Sequence, residues 1–208
     1  MNDGRGLVVF RFTGLKPLLL HNPANSLSSG GMKTDKERKP PPEVEAERGS
    51  YRTEDGQLAI PTVAFIRSLT GPRGGAMGRK IGKISAATGV LAGTEVLEEF
   101  ARLFDPESGQ ALREYVIDLR PVVVVNARIL RARAKLMKWA CDVPIAVDPY
   151  FITPSQLLEL WLFGGRIAGV GDYRPQCGGF FGRYTVEVRS NELDAAPPPE
   201  TKEKKRAK

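Results

Sequence analysis

The chain has 208 residues, with 31 Lys and Arg against 24 Asp and Glu, a net charge of +7 and a pI near 9.5. A hydrophobic content of 41% and a charged content of 26% suit a globular domain with a real core. No apolar run approaches the ~20 residues of a membrane-crossing helix. One histidine (His21) and two cysteines (Cys141 and Cys177) cannot fill a four-ligand zinc site, and there is no CxxC pair. No metal, cofactor or disulfide is therefore expected. Leu15–Leu20 is too short for a leader's apolar segment, so a cytoplasmic location is expected. The terminal stretch 191–208 carries five basic and four acidic residues, so a charge of +6 belongs to the body. A basic body points to a polyanionic partner.

Taken in order, Leu7–Thr13 is a β-rich run closed by Gly14 and predicts the first strand, with Leu15–Leu20 as a bent edge beyond Pro17. Residues 21–52 differ in kind. Ser-Ser-Gly-Gly, a charge cluster and Pro40-Pro41-Pro42 leave little that could build a core, and predict an inserted finger that is either functional or disordered. Leu58–Ile60 predicts a short strand. Pro61 then opens a helix to Thr70, with Val63, Ile66 and Leu69 on one face.

A second insertion spans 71–112. Its stretch Arg73–Lys83 holds four basic residues (Arg73, Arg79, Lys80 and Lys83), four glycines and no acid, which suits phosphate contact. No phosphate-cradling nucleotide motif is present. Gly93–Leu103 reads as a short helix; alternatively, Ile84–Val96 pairs as hairpins. Tyr115–Val125 gives the strongest strand signal in the chain and predicts a buried central strand. In the strand that follows, Arg131, Arg133 and Lys135 alternate with Ala132 and Ala134, which places the three cations on one face. From Arg120 to Lys138 there are six basic residues, Arg128 among them, and no acid, with Trp139 next. Such a face suits the backbone of a single strand.

Trp139–Val147 predicts the next strand. Thr153 as N-cap and Pro154 in the first turn open a helix with Leu157, Leu158, Trp161, Leu162 and Ile167 as its buried face, ended or kinked by Gly164-Gly165. Between that helix and a last strand (Arg183–Arg189) lies Ala168–Tyr184, with five glycines, two arginines and four aromatics. Gly169, Gly171 and Gly179 let a backbone or a phosphate come close, Arg174 and Arg183 supply charge, and Tyr173 offers a stacking ring.

Stripped of insertions, the order is βαββαβ, which predicts an α+β protein with a ferredoxin-like, RRM-like core over 1–190 and a disordered charged tail over 191–208. The late glycine-rich loop resembles that of the RAMP superfamily, the RNA-binding modules of CRISPR effector complexes. Asp-Gly-x-Leu-x-Ile-Pro at 55–61, leading into a helix that carries Arg67 and Ser68, is similar to another feature of that family. Pro61-Thr62-Val63 stands where the family usually has Pro-Gly-Ser. The resemblance implies a non-catalytic backbone subunit of an antiviral ribonucleoprotein. Such a subunit oligomerises along a single-stranded guide RNA, meets target nucleic acid and contacts other effector subunits. Some such subunits cleave the target with an aspartate in the finger, where Asp35 stands here. Two other classes remain open: a phage-type single-stranded DNA binding or annealing protein, and a metal nuclease drawing on Asp118, Asp148, Asp172 and His21.

Overall fold

A computed structural model of the chain describes residues 4–23, 40–124 and 127–194. Its elements in chain order are β1 (Gly6–Gly14), β2 (Leu18–Leu19), α1 (Pro42–Arg48), β3 (Ala59–Pro61), α2 (Val63–Thr70), β4 (Lys80–Ile81), β5 (Ile84–Ser85), α3 (Ala86–Gly93), β6 (Thr94–Val96), β7 (Phe100–Arg102), β8 (Val116–Val124), β9 (Ala127–Leu136), β10 (Ala140–Val147), α4 (Pro154–Ile167) and β11 (Tyr184–Asn191). This is an α+β protein. Its main sheet is antiparallel, in the order β11-β1-β10-β6. Among the described residues, no helix is long and apolar enough to cross a membrane.

Alternation along β1 builds the core. Val8, Phe10 and Phe12 are fully buried, and their register sets them opposite Ile145, Val143 and Cys141 of β10. Helices α2 and α4 cover that face. Phe65 of α2 stacks on Phe12 with ring centroids 4.0 Å apart, and Trp161 of α4 meets Phe12 edge-on at 5.2 Å. The Trp161 indole N–H donates to the Phe65 carbonyl at 2.9 Å, so its one polar atom is satisfied inside the core. Each such ring, fully buried, contributes about 1.5–3 kcal/mol relative to exposure.

The start of α4 follows the sequence. Thr153 accepts from the Gln156 N–H while the Gln156 side chain accepts from the Thr153 N–H, with Pro154 in the first turn. Its end does not. Gly164-Gly165 neither stop nor break the helix, which runs to Ile167. A Cβ at Gly165 would stand 2.3 Å from the Tyr184 carbonyl oxygen, so this glycine lets β11 pack close. The buried face is Leu157, Leu160 and Trp161, while Leu162 and Ile167 are exposed.

Three further expectations are corrected. Val116–Val124 is not a buried central strand. It is the outer strand of a separate sheet, order β2-β9-β8, and Leu119 is 55% exposed. Pro121 is the reason visible in the sequence, because a residue without an N–H is tolerated at a sheet edge and not in its middle. The 93–103 helix and the 84–96 hairpins give way to α3 over 86–93, followed by two three-residue strands, β6 and β7. Ser85 caps α3 by accepting from the Thr88 N–H at 3.1 Å. Finally, the 21–52 insertion is not featureless. It ends in α1, whose Ala46 is buried. Glu47 ties α1 to Arg52 at 2.6 Å and to the Tyr115 hydroxyl at 2.8 Å.

Candidate nucleic-acid interface

The antiparallel register of β8 and β9 puts Asp118 opposite Arg133 and Arg120 opposite Arg131. Arg131, Arg133 and Lys135 do share a face, and that face also carries Asp118 and Arg120. Each cation on it is paired with a carboxylate. Arg131 binds Glu45 of α1 at 3.0 Å, Arg133 pairs with Asp172 of the glycine-rich loop, and Lys135 lies 3.4 Å from Asp118. Arg120 bonds Asp118 at 2.5 Å. The expected free cationic stripe is therefore a ladder of opposite charges, and Arg133, only 9% exposed, cannot reach a phosphate as it stands. The reason is energetic, because a guanidinium taken out of water needs a counter-charge. Burial opposes ionisation of Asp118, but hydrogen bonds and charge from Arg120 and Lys135 outweigh it and hold its carboxyl below the usual value.

The glycine-rich loop is docked, not loose. The Asp172 N–H donates to the Leu19 carbonyl and the Gly182 N–H to the Pro17 carbonyl, both at 2.8 Å. Gly171 has φ +75°, and a Cβ there would lie 2.6 Å from the Leu19 carbonyl oxygen. A Cβ at Gly179 would lie 1.7 Å from that of Tyr173. Gly169 likewise adopts a positive φ. These glycines serve close approach of backbone to backbone within the chain. Tyr173, itself at φ +48°, and Phe181 flank the Arg120 guanidinium at 5.9 and 4.6 Å. Arg120 was not singled out in the sequence, although its spacing of two from Asp118 on a strand already put both on one face.

A cleft of about 270 Å³ opens between this loop and α2. Leu20, Ile60, Val63, Ala64 and Val170 give it an apolar floor. Arg67, Arg174, His21 and Asp172 supply its charge. Arg67 is exposed and has no acidic partner among the described residues. Arg174 is held by the Gly171 carbonyl at 2.8 Å and by Gln176 at 3.0 Å. Partial burial pushes the His21 imidazole below its ordinary value; Asp172 opposes this, and Arg133 and Arg131 add to it.

The remaining candidates are dispersed. Arg73, Lys80 and Lys83 are exposed on the turn and small hairpin after α2. Arg79 lies over the Phe163 ring at 4.5 Å. Lys138 is a surface residue bonded to Glu107 at 2.7 Å, which raises its pKa. The Arg183 Nε is buried without a hydrogen-bond partner among the described residues. Asp35 and the Arg128 side chain lie outside the described residues. Of the three carboxylates considered for a nuclease, Asp118 and Asp172 are engaged by the ladder cations as above, and Asp148 accepts from the Tyr150 N–H at 2.9 Å. Among the described residues, no group of three or more His, Cys, Asp or Glu could hold a metal. Both cysteines are free, and burial pushes the Cys141 thiol up. No family model matches the chain, and no curated protein matches it.

Proposed function

We propose that this chain is a non-catalytic subunit that binds single-stranded RNA on a ferredoxin-like core, with copies of itself and other effector subunits as partners, in the cytoplasm. The order β11-β1-β10-β6 supports that core. With β6 as second strand and the β8–β9 hairpin as an insertion before the third, it is the order 4-1-3-2 under two helices. The RNA-guided antiviral setting rests on the RAMP resemblance alone.

One observation carries the binding site. Arg67, exposed and without an acidic partner among the described residues, shares with Arg174 a cleft walled by glycine-loop backbone. Two guanidiniums beside accessible backbone suit phosphates, and the apolar floor suits a base or sugar. Arg73, Lys80 and Lys83 add charge without specificity. The ladder cations Arg133 and Lys135 serve the fold instead.

Fluorescence anisotropy with a labelled single-stranded RNA tests this. Arg67→Gln and Arg174→Gln should each weaken binding and reduce the slope of log affinity on log salt by about 0.7, the value for one lost phosphate contact. Unlabelled RNA should compete better than the same DNA sequence; the reverse order would favour the single-stranded DNA class. Affinity that does not fall between about 50 and 500 mM salt would rule out phosphate recognition.

A further inference from the structure

Of the four cations on the ladder face, Arg131 is the most open, with 42% of its side chain exposed. Its partner Glu45 is unusual in what it accepts. One carboxylate oxygen takes the Arg131 guanidinium at 3.0 Å, and the other takes the backbone N–H of Ala132 at 3.2 Å. Strand β2 pairs with β9 at Lys135 and Leu136, and the Leu20 N–H donates to the Ala134 carbonyl at 2.9 Å. Past Ala134 no strand among the described residues continues this edge, and Glu45 takes the Ala132 N–H there. A guanidinium beside a free backbone amide is also a donor set that two oxygens of a phosphodiester accept. The carboxylate belongs to a short helix that stays anchored through Glu47 to Arg52 and Tyr115. Releasing Arg131 therefore requires only that the Glu45 side chain turn away, not that α1 leave.

We propose that Glu45 stands in for a phosphate in the free protein, and that a bound strand displaces it and takes over Arg131 and the Ala132 amide. This rests on the function proposed above and adds a contact to it. A tethered carboxylate competes at high effective concentration, so it excludes isolated small anions. His21, which lines the cleft, lies within electrostatic reach of both Arg131 and Glu45, so a strand held at Arg67 and Arg174 brings further, tethered phosphates toward this pair. The exchange keeps the β9 edge satisfied in both states, which an open arginine would not do.

The test compares Glu45→Gln with Glu43→Gln by anisotropy on a labelled oligouridylate across a salt series. Both variants lose one negative charge from α1, but Glu43 is an exposed first-turn residue and bonds no ladder cation. Glu45→Gln should bind more tightly than Glu43→Gln. Its salt slope should be steeper by about 0.7, so that it loses roughly 2.6-fold more affinity between about 50 and 200 mM salt. Adding Arg131→Gln to Glu45→Gln should abolish both differences, and Arg131→Gln alone should bind more weakly than the wild type. Thermal melts of each variant accompany the titrations. Equal affinity and slope for the two glutamate variants would overturn the proposal while leaving RNA binding intact, as would an Arg131→Gln protein that binds like the wild type. Weaker binding by Glu45→Gln, with or without a lower melting temperature, would make Glu45 a purely structural cap. Absence of binding by every protein would remove the functional reading and this inference together.

Discussion

Substituting two glycines of one loop separates backbone strain from lack of space. Gly178 and Gly182 both adopt positive φ, +80° and +63°. A Cβ at Gly178 meets nothing within 4 Å, whereas one at Gly182 would lie 1.7 Å from the Val170 carbonyl oxygen. The surroundings of Gly182 cannot give way easily. Its carbonyl accepts from the Val170 N–H at 2.9 Å, and its N–H donates to Pro17 at 2.8 Å. Placing alanine in the left-handed region costs about 1–2 kcal/mol at either site. Forcing backbone apart at Gly182 adds about 1–3 kcal/mol. In a chain of this length each kcal/mol lowers Tm by about 2–4 °C. Gly178→Ala should therefore lower Tm by about 2–8 °C, and Gly182→Ala by about 4–20 °C, in a calorimetric or circular-dichroism melt. Equal losses at the two positions, or none at Gly182, would mean that the loop is a loose hinge in solution and that its docking against residues 17–19 is wrong.

Asp172→Asn leaves the nearly buried Arg133 without its counter-ion. Breaking a fully buried pair costs about 3–5 kcal/mol, and because Asp172 keeps partial access to water the expected loss is about 2 kcal/mol. Denaturant unfolding measures it, and replacing the pair with Arg133→Met and Asp172→Leu should recover part of the loss. An unchanged midpoint for Asp172→Asn would show that the pair is not formed. The His21 pKa is depressed in the fold, so the unfolded chain binds the proton more readily. The contribution of His21 to stability is therefore complete above its ordinary value of 6.5 and is lost as the pH falls below it. His21→Gln should flatten the fall in Tm measured below that pH, and an identical pH profile would refute the assignment.

How much of the candidate site could be read from the sequence depends on how local the governing physics is. Arg67 was singled out through the family resemblance. The helix itself was legible, but Pro61 closes β3 rather than opening α2, and Val63, expected with Ile66 and Leu69 on the apolar face, is exposed while Phe65 is buried. The glycine-rich loop was legible as a place of close approach, but not what approaches it. The glycines of Ala168–Tyr184 would equally have suited a phosphate, and here Leu18, Leu19 and Tyr173 fill that space. The role of β8 was misjudged because a β-branched run signals strand formation strongly, while only Pro121 within it signals an edge. Helix α1 was missed because the low-core composition of the 21–52 segment masked a seven-residue helix that buries a single alanine.

By itself the sequence determined what the backbone decides within a few residues. The Thr153–Gln156 cap, the alternation of β1, and the common face of Arg131, Arg133 and Lys135 all follow from helical or strand geometry, which repeats along the chain. The partners of those cations could not follow from it. Glu45 lies 86 positions from Arg131, and Asp172 arrives from a loop on the far side of α4. Only the packing of separate segments brought carboxylates to the cationic face, because the demand for a counter-charge arises when burial removes water. The same packing left Arg67 open beside Arg174, and that contrast between neutralised and available charge is what defines the proposed interface.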